Sequence, residues 1–209
     1  MKKLKKKLLI FDLDGVLIDS KDNMKFAWTE VQKKYFLNNI TFENYFKEIG
    51  RPFIEILKII GIKKNFKNIS LTYKLASIKY LNKIRYFDNV LETLKLLKAR
   101  NFELSIVTSK DLKRTKKILG KNINLFTYIE CDDGKSKGKP HPNKILKIIK
   151  KTQFEKSNAL YVGDTNIDYL TAKNSNIDFM FIKKGYGKNF NYKYKCNSVS
   201  DLIKKIQFG

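Results

Sequence analysis

The sequence predicts a three-layer α/β fold, with a Rossmann-like parallel sheet and an all-helical unit inserted near its start. Two observations predict this class. Short, almost continuous apolar runs alternate with amphipathic helical stretches, which is typical of parallel strands buried on both faces by helices. Residues 19–86 interrupt this alternation, because they contain several helical patterns and no convincing strand. The expected domains are therefore a core of residues 1–18 and 87–209 and a helical insertion of residues 19–86.

The core is predicted from five strand-like runs, which are short and rich in β-branched and aromatic residues. In chain order they cover residues 8–12, 102–108, 127–131, 159–163 and 179–182. The segments between them have apolar residues at helical spacing, which predicts helices. These helices are expected at residues 89–100, 110–119, 142–151, 167–175 and, at the end, 199–206. Such regular alternation of strand and helix indicates a parallel sheet.

The insertion follows the first strand and is much longer than a connection requires, since a parallel crossover needs only about a dozen residues. Apolar residues recur at helical spacing at 24–35, 53–60 and 71–84. No repeat, low-complexity linker or joint rich in Pro and Gly separates the insertion from the core. We therefore expect one helical unit built onto the sheet domain.

Charge is the most unusual feature of the composition. The 209 residues include 44 Lys and Arg against 20 Asp and Glu, which gives a formal net charge of +24. A surface that binds nucleic acid is one interpretation. The other is a solvated surface of biased composition, because 40 of these cations are Lys, spread over every predicted helix, whereas nucleic-acid readers favour Arg. We favour the solvated surface and do not expect a nucleic-acid partner.

The cysteines and the N-terminal residues indicate in which cellular compartment the protein is expected. Cys131 and Cys196 are too few for a disulfide framework and lack the spacing of metal ligands, so we expect idle thiols. The chain begins like the charged region of a signal peptide, but its apolar run ends at Asp12, too early for an export signal. No segment is apolar enough to span a membrane. These features predict a reducing, cytoplasmic location.

Polar residues follow the predicted strands where each strand ends. In the order of the strands, these residues are Asp12 and Asp14, Thr108 and Ser109, Lys139, and then Asp164 and Asp168. Ligands of open parallel sheets bind at this edge. Carboxylates gathered there would repel one another without a cation between them, and Mg²⁺ prefers such hard oxygen ligands. Lys139 and the Thr108 hydroxyl add the positive charge and the donor that suit a phosphate.

Four motifs in this order resemble those of the haloacid dehalogenase superfamily of phosphohydrolases. They are DLDGVLIDS after the first strand, the hydroxyl of IVTSK after the second, then GKPHP and GDTNID. A lone DxD is a weak signal, whereas four motifs in order, each after a strand, are specific. The segment IGRPFIEILKIIGI and the position of the insertion resemble the subgroup of phosphoglycolate phosphatases and phosphosugar enzymes. The resemblance implies that the insertion is a helical cap.

The resemblance implies a role for each matching residue. Asp12 would be the nucleophile that forms an aspartyl-phosphate. Asp14 would be the general acid for the leaving group and then the base that activates water. Thr108 would bind a phosphoryl oxygen, with Ser109 as the alternative. Lys139 would offset the charge that phosphate and nucleophile share.

By the same resemblance, Mg²⁺ would be held by Asp12, the backbone carbonyl of Asp14, and Asp164. Asp168 would lie close by or bind the ion through water; its alternative is a carboxylate in the first turn of a helix, stabilised by the helix dipole. Asp14 in isolation would also suit a turn before Gly15. Gly15 would permit the tight backbone after the nucleophile, against the substrate.

Two further residues have open interpretations. Arg51 is the best candidate for binding a second anionic group of the substrate, because Arg binds a carboxylate in a bidentate fork. Its alternative is a surface arginine near a helix start. His141 is the only histidine, but its position before Pro142 favours a helix start over a catalytic base.

The sequence therefore predicts a Mg²⁺-dependent phosphomonoester hydrolase acting on a small metabolite such as phosphoglycolate or a sugar phosphate. Asp14 argues against dehalogenases and phosphonate hydrolases, and Met24, where mutases of this type have a histidine, argues against mutase activity. The alternative is a nucleic-acid-binding protein with a vestigial hydrolase site. A signalling receiver domain would need neither cap nor second Asp. Two positions depart from the subgroup: residues 87–89 replace its usual Pro and Gly before the core resumes, and Asn176 replaces a usual Gly. The resemblance therefore does not identify the substrate. The sequence does not indicate the oligomeric state either.

Overall fold

Strands and helices alternate along the chain in the computed structural model, which describes residues 4–188 and 191–206. In chain order they are β1 (Leu8–Phe11), β2 (Ile18–Asp19), α1 (Lys21–Tyr35), α2 (Phe42–Phe46), α3 (Phe53–Ile59), α4 (Phe66–Lys79), β3 (Arg85–Tyr86), α5 (Val90–Ala99), β4 (Glu103–Asp111), α6 (Leu112–Leu119), β5 (Tyr128–Asp132), α7 (Asn143–Thr152), β6 (Ala159–Gly163), α8 (Asn166–Ser175), β7 (Asp178–Ile182) and β8 (Lys195–Cys196). The outer ends of the expected core, residues 1–3 and 207–209, and residues 189–190 lie outside the described residues.

Six of these strands form one parallel sheet with the order β5-β4-β1-β6-β7-β8. Strand β1 lies inside the sheet, between β4 and β6. The residues that follow β1 therefore reach the middle of the carboxyl edge, where open parallel sheets bind their ligands. The α/β fold class predicted from the alternating runs is confirmed.

Alternation along β1 divides its side chains between the two faces of the sheet. Leu9 and Phe11 belong to one buried cluster, together with residues of α5 and Leu119 of α6. Leu8 and Ile10 belong to the other, together with residues of α7 and α8. All four β1 side chains are fully buried. A strand covered by helices on both faces needs no polar side, which explains its continuous apolar sequence.

The core elements lie close to their predicted positions, with three corrections. Strand β4 runs past the predicted end at Thr108, because Asp111 still pairs with Asp132 of β5 beyond an irregularity in the ladder. The edge strand β8 is absent from the prediction, since two residues show no alternation. The expected helix at 199–206 is instead a short 3₁₀ turn at Ser200–Lys204, a form in which apolar residues also recur every three positions.

Helices α1 to α4 occupy the insertion and share a buried cluster of their own. Trp28 of α1 stacks on Tyr45 of α2 with ring centroids 4.9 Å apart, and its Nε1 donates to the Ile40 carbonyl. The prediction omits α2, because five residues are too few for a helical period. Helix α4 starts and ends before the predicted 71–84, whose end forms a separate 3₁₀ turn at Leu81–Lys83. Within the described part of the chain, none of the helices combines the length and apolar composition needed to cross a bilayer.

Both connections between the insertion and the sheet pass through a second, two-stranded sheet. Ile18 pairs with Tyr86 and Asp19 with Arg85, so β2 and β3 run antiparallel side by side. This pairing corrects the expectation that residues 19–86 contain no strand. Two-residue strands have no sequence signature, but they bring the outgoing and returning chain together beneath the helices.

Candidate active site

Asp12 is at the centre of the candidate site, directly after β1. Its side chain is nearly buried, with the residue 4% exposed, and its backbone N–H donates to the Val162 carbonyl of β6. Thr108 of β4 and Lys139 from the loop after β5 line the same cavity as Asp12. The structure therefore brings together residues that the sequence placed after three different strands.

Lys139 joins two of the buried carboxylates. Its Nζ lies 2.7 Å from Asp12 Oδ1, 2.7 Å from Asp168 Oδ1 and 3.3 Å from the Tyr161 hydroxyl, and the residue is 2% exposed. Burial alone would lower the pKa of Lys139, but Asp12 and Asp168 hold that pKa well above its usual value. Lys139 is thus a fixed cation beside one oxygen of Asp12.

Asp12, Asp164 and Asp168 offer oxygen atoms that all lie within 4.8 Å of one another. Burial, and then the charges of Asp168 and Asp12, raise the pKa of Asp164 well above its usual value. Burial likewise raises the pKa of Asp12 to about 7, against the attraction of Lys139. The Asp164 Oδ1 atom is buried without a hydrogen-bond partner among the described residues. One ammonium group cannot balance the charge of three buried carboxylates. These carboxylates therefore fit a hard divalent cation.

Asp168 is the member of this group whose oxygens are already occupied. Its Oδ1 accepts from Lys139 and Tyr161, and its Oδ2 accepts from the backbone N–H and hydroxyl of Thr165. The Thr165 contacts form a capping box at the start of α8, so Asp168 does stand in the first turn of a helix. In this arrangement, Asp168 fixes the position of Lys139 as well as the helix start.

Asp14 is held by two neighbours, both outside the predicted set. Its Oδ1 accepts from the Ser20 hydroxyl and lies 3.1 Å from Lys110 Nζ. Gly15 follows with φ +80°, a conformation that a side chain would strain. A Cβ there would collide with the Asp164 carboxylate, so Gly15 contacts Asp164 directly. The glycine lets the loop after β1 approach the acidic group closely.

A cavity of about 50 Å³ lies between this edge of the sheet and the helices of the insertion. On the core side it is lined by Asp12, Asp14, Thr108, Ser109, Lys110, Arg114, Lys139 and Thr165. On the insertion side it is lined by Met24, Tyr45, Ile49, Gly50, Arg51, Phe53, Ile56 and Tyr73. One water needs about 10–15 Å³, so roughly three to five waters fit. A space of this volume suits a small chemical group.

The remaining predicted residues differ in how firmly they are held. Thr108 is buried, and its Oγ1 accepts from the Lys110 backbone N–H at 3.1 Å, which leaves the hydroxyl proton for another acceptor. Ser109 Oγ donates to the Gly50 carbonyl at 2.7 Å, so it bridges the core and the insertion. Arg51 pairs with Glu48 at 3.1 Å and its side chain is 32% exposed.

Besides Ser20, several residues that contact the site were not predicted. Lys110 contacts Asp14, and Arg114 lines the cavity beside it. The Tyr161 hydroxyl lies near both Lys139 and Asp168, and the Tyr186 backbone N–H donates to Asp164 Oδ2. Lys110 and Arg114 follow the second motif closely, which is a weak signal among 44 cations. The two tyrosines have no signal in one sequence, because only folding brings them to the carboxylates.

His141 lies just before a helix, and the two cysteines form no disulfide. His141 Nδ1 accepts from the Asn143 backbone N–H at 3.4 Å, and Pro142 directly precedes α7. This contact supports the interpretation of His141 as a helix-start residue. Cys131 and Cys196 are free thiols.

Curated relatives align with almost the whole chain. A phosphoglycolate phosphatase of Colwellia psychrerythraea is 31% identical over 201 residues, which cover 89% of this chain and 88% of that protein. Pyrophosphatase PpaX of Oceanobacillus iheyensis is 28% identical over 205 residues, which cover 93% of this chain and 94% of that protein. The chain is thus similar to two kinds of phosphate-releasing enzyme over its full fold.

Solved structures show the same architecture. A predicted phosphoglycolate phosphatase from Haemophilus somnus superposes with a TM-score of 0.84 at 23% identity, covering 96% of this chain and 97% of that one. A haloacid dehalogenase-like family protein from Streptococcus pneumoniae superposes with a TM-score of 0.83 at 21% identity, covering 96% and 98%. At these identities, the likeness concerns the fold.

The family model covers the elements that carry the site. The model described as haloacid dehalogenase-like hydrolase matches residues 9–182, a span that runs from β1 to the end of β7. Asp12, Lys139 and the other residues around the cavity all lie within this span. The four-segment site and the matching fold lead to one conclusion: the chain belongs to the haloacid dehalogenase-like hydrolases.

Proposed function

We propose that this chain is a Mg²⁺-dependent phosphomonoester hydrolase that acts on a small metabolite, with phosphoglycolate or a sugar phosphate as the leading substrates. One observation carries the proposal. Asp12 lies buried at the carboxyl edge of the sheet with a fixed cation, Lys139, on one oxygen and a small cavity in front of it. Relatives named for phosphoglycolate and pyrophosphate hydrolysis support the same reaction class.

Asp12 acts as the nucleophile. The Asp12 oxygen away from Lys139 attacks phosphorus, the bond to the leaving oxygen breaks, and an aspartyl-phosphate forms. Lys139 does not leave Asp12 during this step, since Asp168 and Tyr161 hold its ammonium group in place. A fixed cation stabilises the negative charge of the transition state without reorganisation.

Asp14 transfers the proton in both half-reactions. It protonates the leaving oxygen as the ester bond breaks, and it then takes a proton from the water that attacks the aspartyl-phosphate. The contacts from Ser20 and Lys110 hold one Asp14 oxygen, so the other is left for the leaving group or the water. Both steps balance, because the proton given up in the first is recovered in the second.

The substrate phosphoryl group is bound by donors around Asp12. Thr108 supplies a hydroxyl donor and Lys139 a positive charge. Ser109, Arg51 and Gly15 complete the proposed substrate-binding set: Ser109 by joining core to insertion, Arg51 as a second cation at the cavity, and Gly15 by allowing the close approach of the loop.

Mg²⁺ would be held by Asp12, Asp164 and the backbone carbonyl of Asp14. When bound, the ion neutralises the phosphoryl oxygens and the carboxylates that surround them. Asp164 keeps an unpartnered buried oxygen for this purpose, whereas both oxygens of Asp168 already accept hydrogen bonds. We therefore assign Asp168 to the outer part of the metal site, close to the ion or bonded to it through water.

The insertion, residues 19–86, serves as a cap over the core of residues 1–18 and 87–209. It lines half of the cavity and is joined to the core through β2, β3 and the Ser109 contact. In the proposed cycle, the cap opens to admit substrate and closes over it to exclude water. The free thiols fit a cytoplasmic location.

The test is phosphate release by the purified full-length chain from a broad panel of small phosphomonoesters. We expect release with Mg²⁺ and none after chelation with EDTA. Asp12→Asn changes one oxygen to an amide of equal size, so it should keep the fold, checked by circular dichroism, and abolish release. Absence of phosphate release across the panel would overturn the proposal. Release by Asp12→Asn at the wild-type rate would overturn the assignment of the nucleophile.

A further inference from the structure

We infer that Arg114 recognises a second anionic group on the substrate, so that the preferred substrate is a small phosphate ester or anhydride with two anions. This inference rests on the phosphatase activity proposed above and narrows its substrate class. A carboxylate or a second phosphate would serve equally as the distal group. A neutral sugar phosphate lacks it and should be a poor substrate.

Arg114 is a buried arginine that is fixed before any ligand arrives. Its side chain is 7% exposed, and its Nε donates to Asp111 Oδ2 at 2.6 Å while its backbone N–H donates to Asp111 Oδ1. The guanidinium carbon lies 5.7 Å from the centre of the Tyr73 ring, which packs on it from the insertion. Pre-organisation of this kind lowers the entropy cost of binding.

The guanidinium keeps donors for a ligand. Asp111 takes the Nε–H, and the two terminal amino groups form no hydrogen bond with any residue in the described ranges. Arg114 lines the same cavity as Asp12 and Asp14. Because Arg114 lines the cavity, its planar pair of terminal amino groups can bind the two oxygens of a carboxylate or phosphate there.

A buried tyrosine pair stands beside Arg114. Tyr45 donates to the Tyr73 hydroxyl at 2.8 Å, so the proton of Tyr73 is left for a further acceptor. Burial raises the pKa of Tyr73 to about 12, although Arg114 opposes this rise. Tyr73 therefore stays a neutral donor at neutral pH. Arg114 of the core and Tyr73 of the insertion together form a donor set suited to an anion where the two meet at the cavity.

The charges around the cavity also favour a second anion there. Lys139 is shared by two carboxylates, and Lys110 pairs with Asp14. Burial lowers the pKa of Lys110, Asp14 raises it, and the nearby positive charge of Arg114 lowers it again. An anion bound at Arg114 would relieve this repulsion between two buried cations.

Arg51, the candidate suggested by the sequence, is less well suited to this role. Its side chain is 32% exposed against 7% for Arg114, and an exposed arginine gives up more freedom and more hydration on binding. Because both arginines line the cavity, the two can be compared directly.

The experiment compares two esters that differ only in the distal group. Phosphoglycolate carries a carboxylate, and 2-hydroxyethyl phosphate carries a neutral hydroxyl in the same place. The measured quantity is the ratio of their kcat/KM values for the wild type, Arg114→Met, Arg51→Met and, as an inert control, Arg85→Met, whose side chain is 82% exposed outside the cavity. Pyrophosphate is tested as the anhydride with two anions.

We expect the wild type to prefer both two-anion substrates, and Arg114→Met to lower the phosphoglycolate ratio by roughly 10- to 150-fold, the range for a hydrogen bond to a charged group. Arg114→Lys should keep only part of the wild-type ratio, because an ammonium group cannot bind an anion in the bidentate way of a guanidinium. A wild type without this preference overturns the inference whether or not any variant folds. An equal loss on both esters in Arg114→Met, or a collapse of the ratio in Arg51→Met instead, also overturns it. Failure of the wild type on every ester would show that the proposed function itself is wrong.

Discussion

Asp12 and Asp168 share the ammonium group of Lys139, and each lies 2.7 Å from it inside the protein. Such a buried arrangement is costly to break, because the partner that stays behind is an uncompensated charge. The same contact holds Asp12, the proposed nucleophile, in position before substrate arrives. At the scale of single residues, stability and reactivity therefore depend on the same ion pairs.

Lys139→Met should destabilise the metal-free protein by roughly 3–5 kcal/mol, because it leaves two buried carboxylates without their cation. Urea unfolding measures this loss. Lys147→Met is the matched control. The Lys147 side chain, which pairs with Glu130, is more than half exposed, so its replacement should lower the free energy of unfolding by less than about 1 kcal/mol. Equal stabilities of the two variants would contradict the role of Lys139 as a buried counterion.

The carboxylate group should make the effect of Mg²⁺ on stability depend on pH. In the metal-free fold, burial raises the pKa of Asp12 from 3.8 to about 7. A raised folded-state pKa contributes stability that is complete below pH 4 and is lost as the pH rises through about 7. Mg²⁺ competes with these protons, so the Tm increase on adding Mg²⁺ should be larger at pH 8 than at pH 5.

Asp164→Asn provides the control for this Mg²⁺ effect. It removes one charge from the acidic group, so the metal-free variant should be at least as stable as the wild type and should lose most of the Mg²⁺ response. A Tm increase that is independent of pH, or undiminished in Asp164→Asn, would contradict the proposed metal site.

Residue by residue, the sequence was informative where chemistry imposes a motif. The carboxylates after β1 and β6 and Lys139 were found because their order and spacing are specific. Lys110 and Arg114 were missed because burial, which distinguishes them from other cations, is a property of the fold. Tyr161 and Tyr186 act through contacts with residues distant in sequence, and a single sequence does not encode such contacts visibly.

At the scale of elements, the loop at Gly50 connects the insertion to the second motif. Ser109 of β4 donates to the Gly50 carbonyl at 2.7 Å, the contact that ties this strand to the proposed cap. Strand β4 therefore both carries Thr108 and contacts the insertion. The long strands were predictable from apolar runs, whereas β2, β3 and β8 were not, because two residues carry no periodic pattern.

Ser109→Ala should weaken cap closure without touching the carboxylates. Loss of one hydrogen bond of about 1 kcal/mol predicts a fall in kcat/KM of about fivefold, expressed mainly as a higher KM. Ser136→Ala, an exposed serine outside the cavity, should change nothing. Unchanged kinetics in Ser109→Ala would show that this contact does not contribute to closure.

At the scale of the whole molecule, the net charge of +24 sets the field around the cavity. Composition alone could not say whether this charge has a function. The proposed chemistry belongs to buried acids, so we expect the basic surplus to attract anions from solution. The long insertion predicts two units, and this division stays a prediction. The small volume of the cavity could not be predicted from the sequence, because it depends on how the insertion packs against the core.

Electrostatic attraction predicts that kcat/KM for an anionic ester falls by up to about tenfold between low and high NaCl, while kcat changes little. Steady-state kinetics at several NaCl concentrations measure this dependence, with sucrose at matched osmolarity as the control. A KM that does not respond to salt would show that the surface charge plays no part in substrate capture.

The central claim, that Asp12 is the nucleophile and Asp14 serves both half-reactions, is tested most directly by mass spectrometry of Asp14→Asn. With 4-nitrophenyl phosphate, whose leaving group needs no acid, the first step should proceed and the second should stall for lack of a base. We predict a burst of one nitrophenolate per chain and one phosphoryl group on the peptide that contains Asp12. Steady turnover without a burst, or a phosphoryl group on any other residue, would contradict the account.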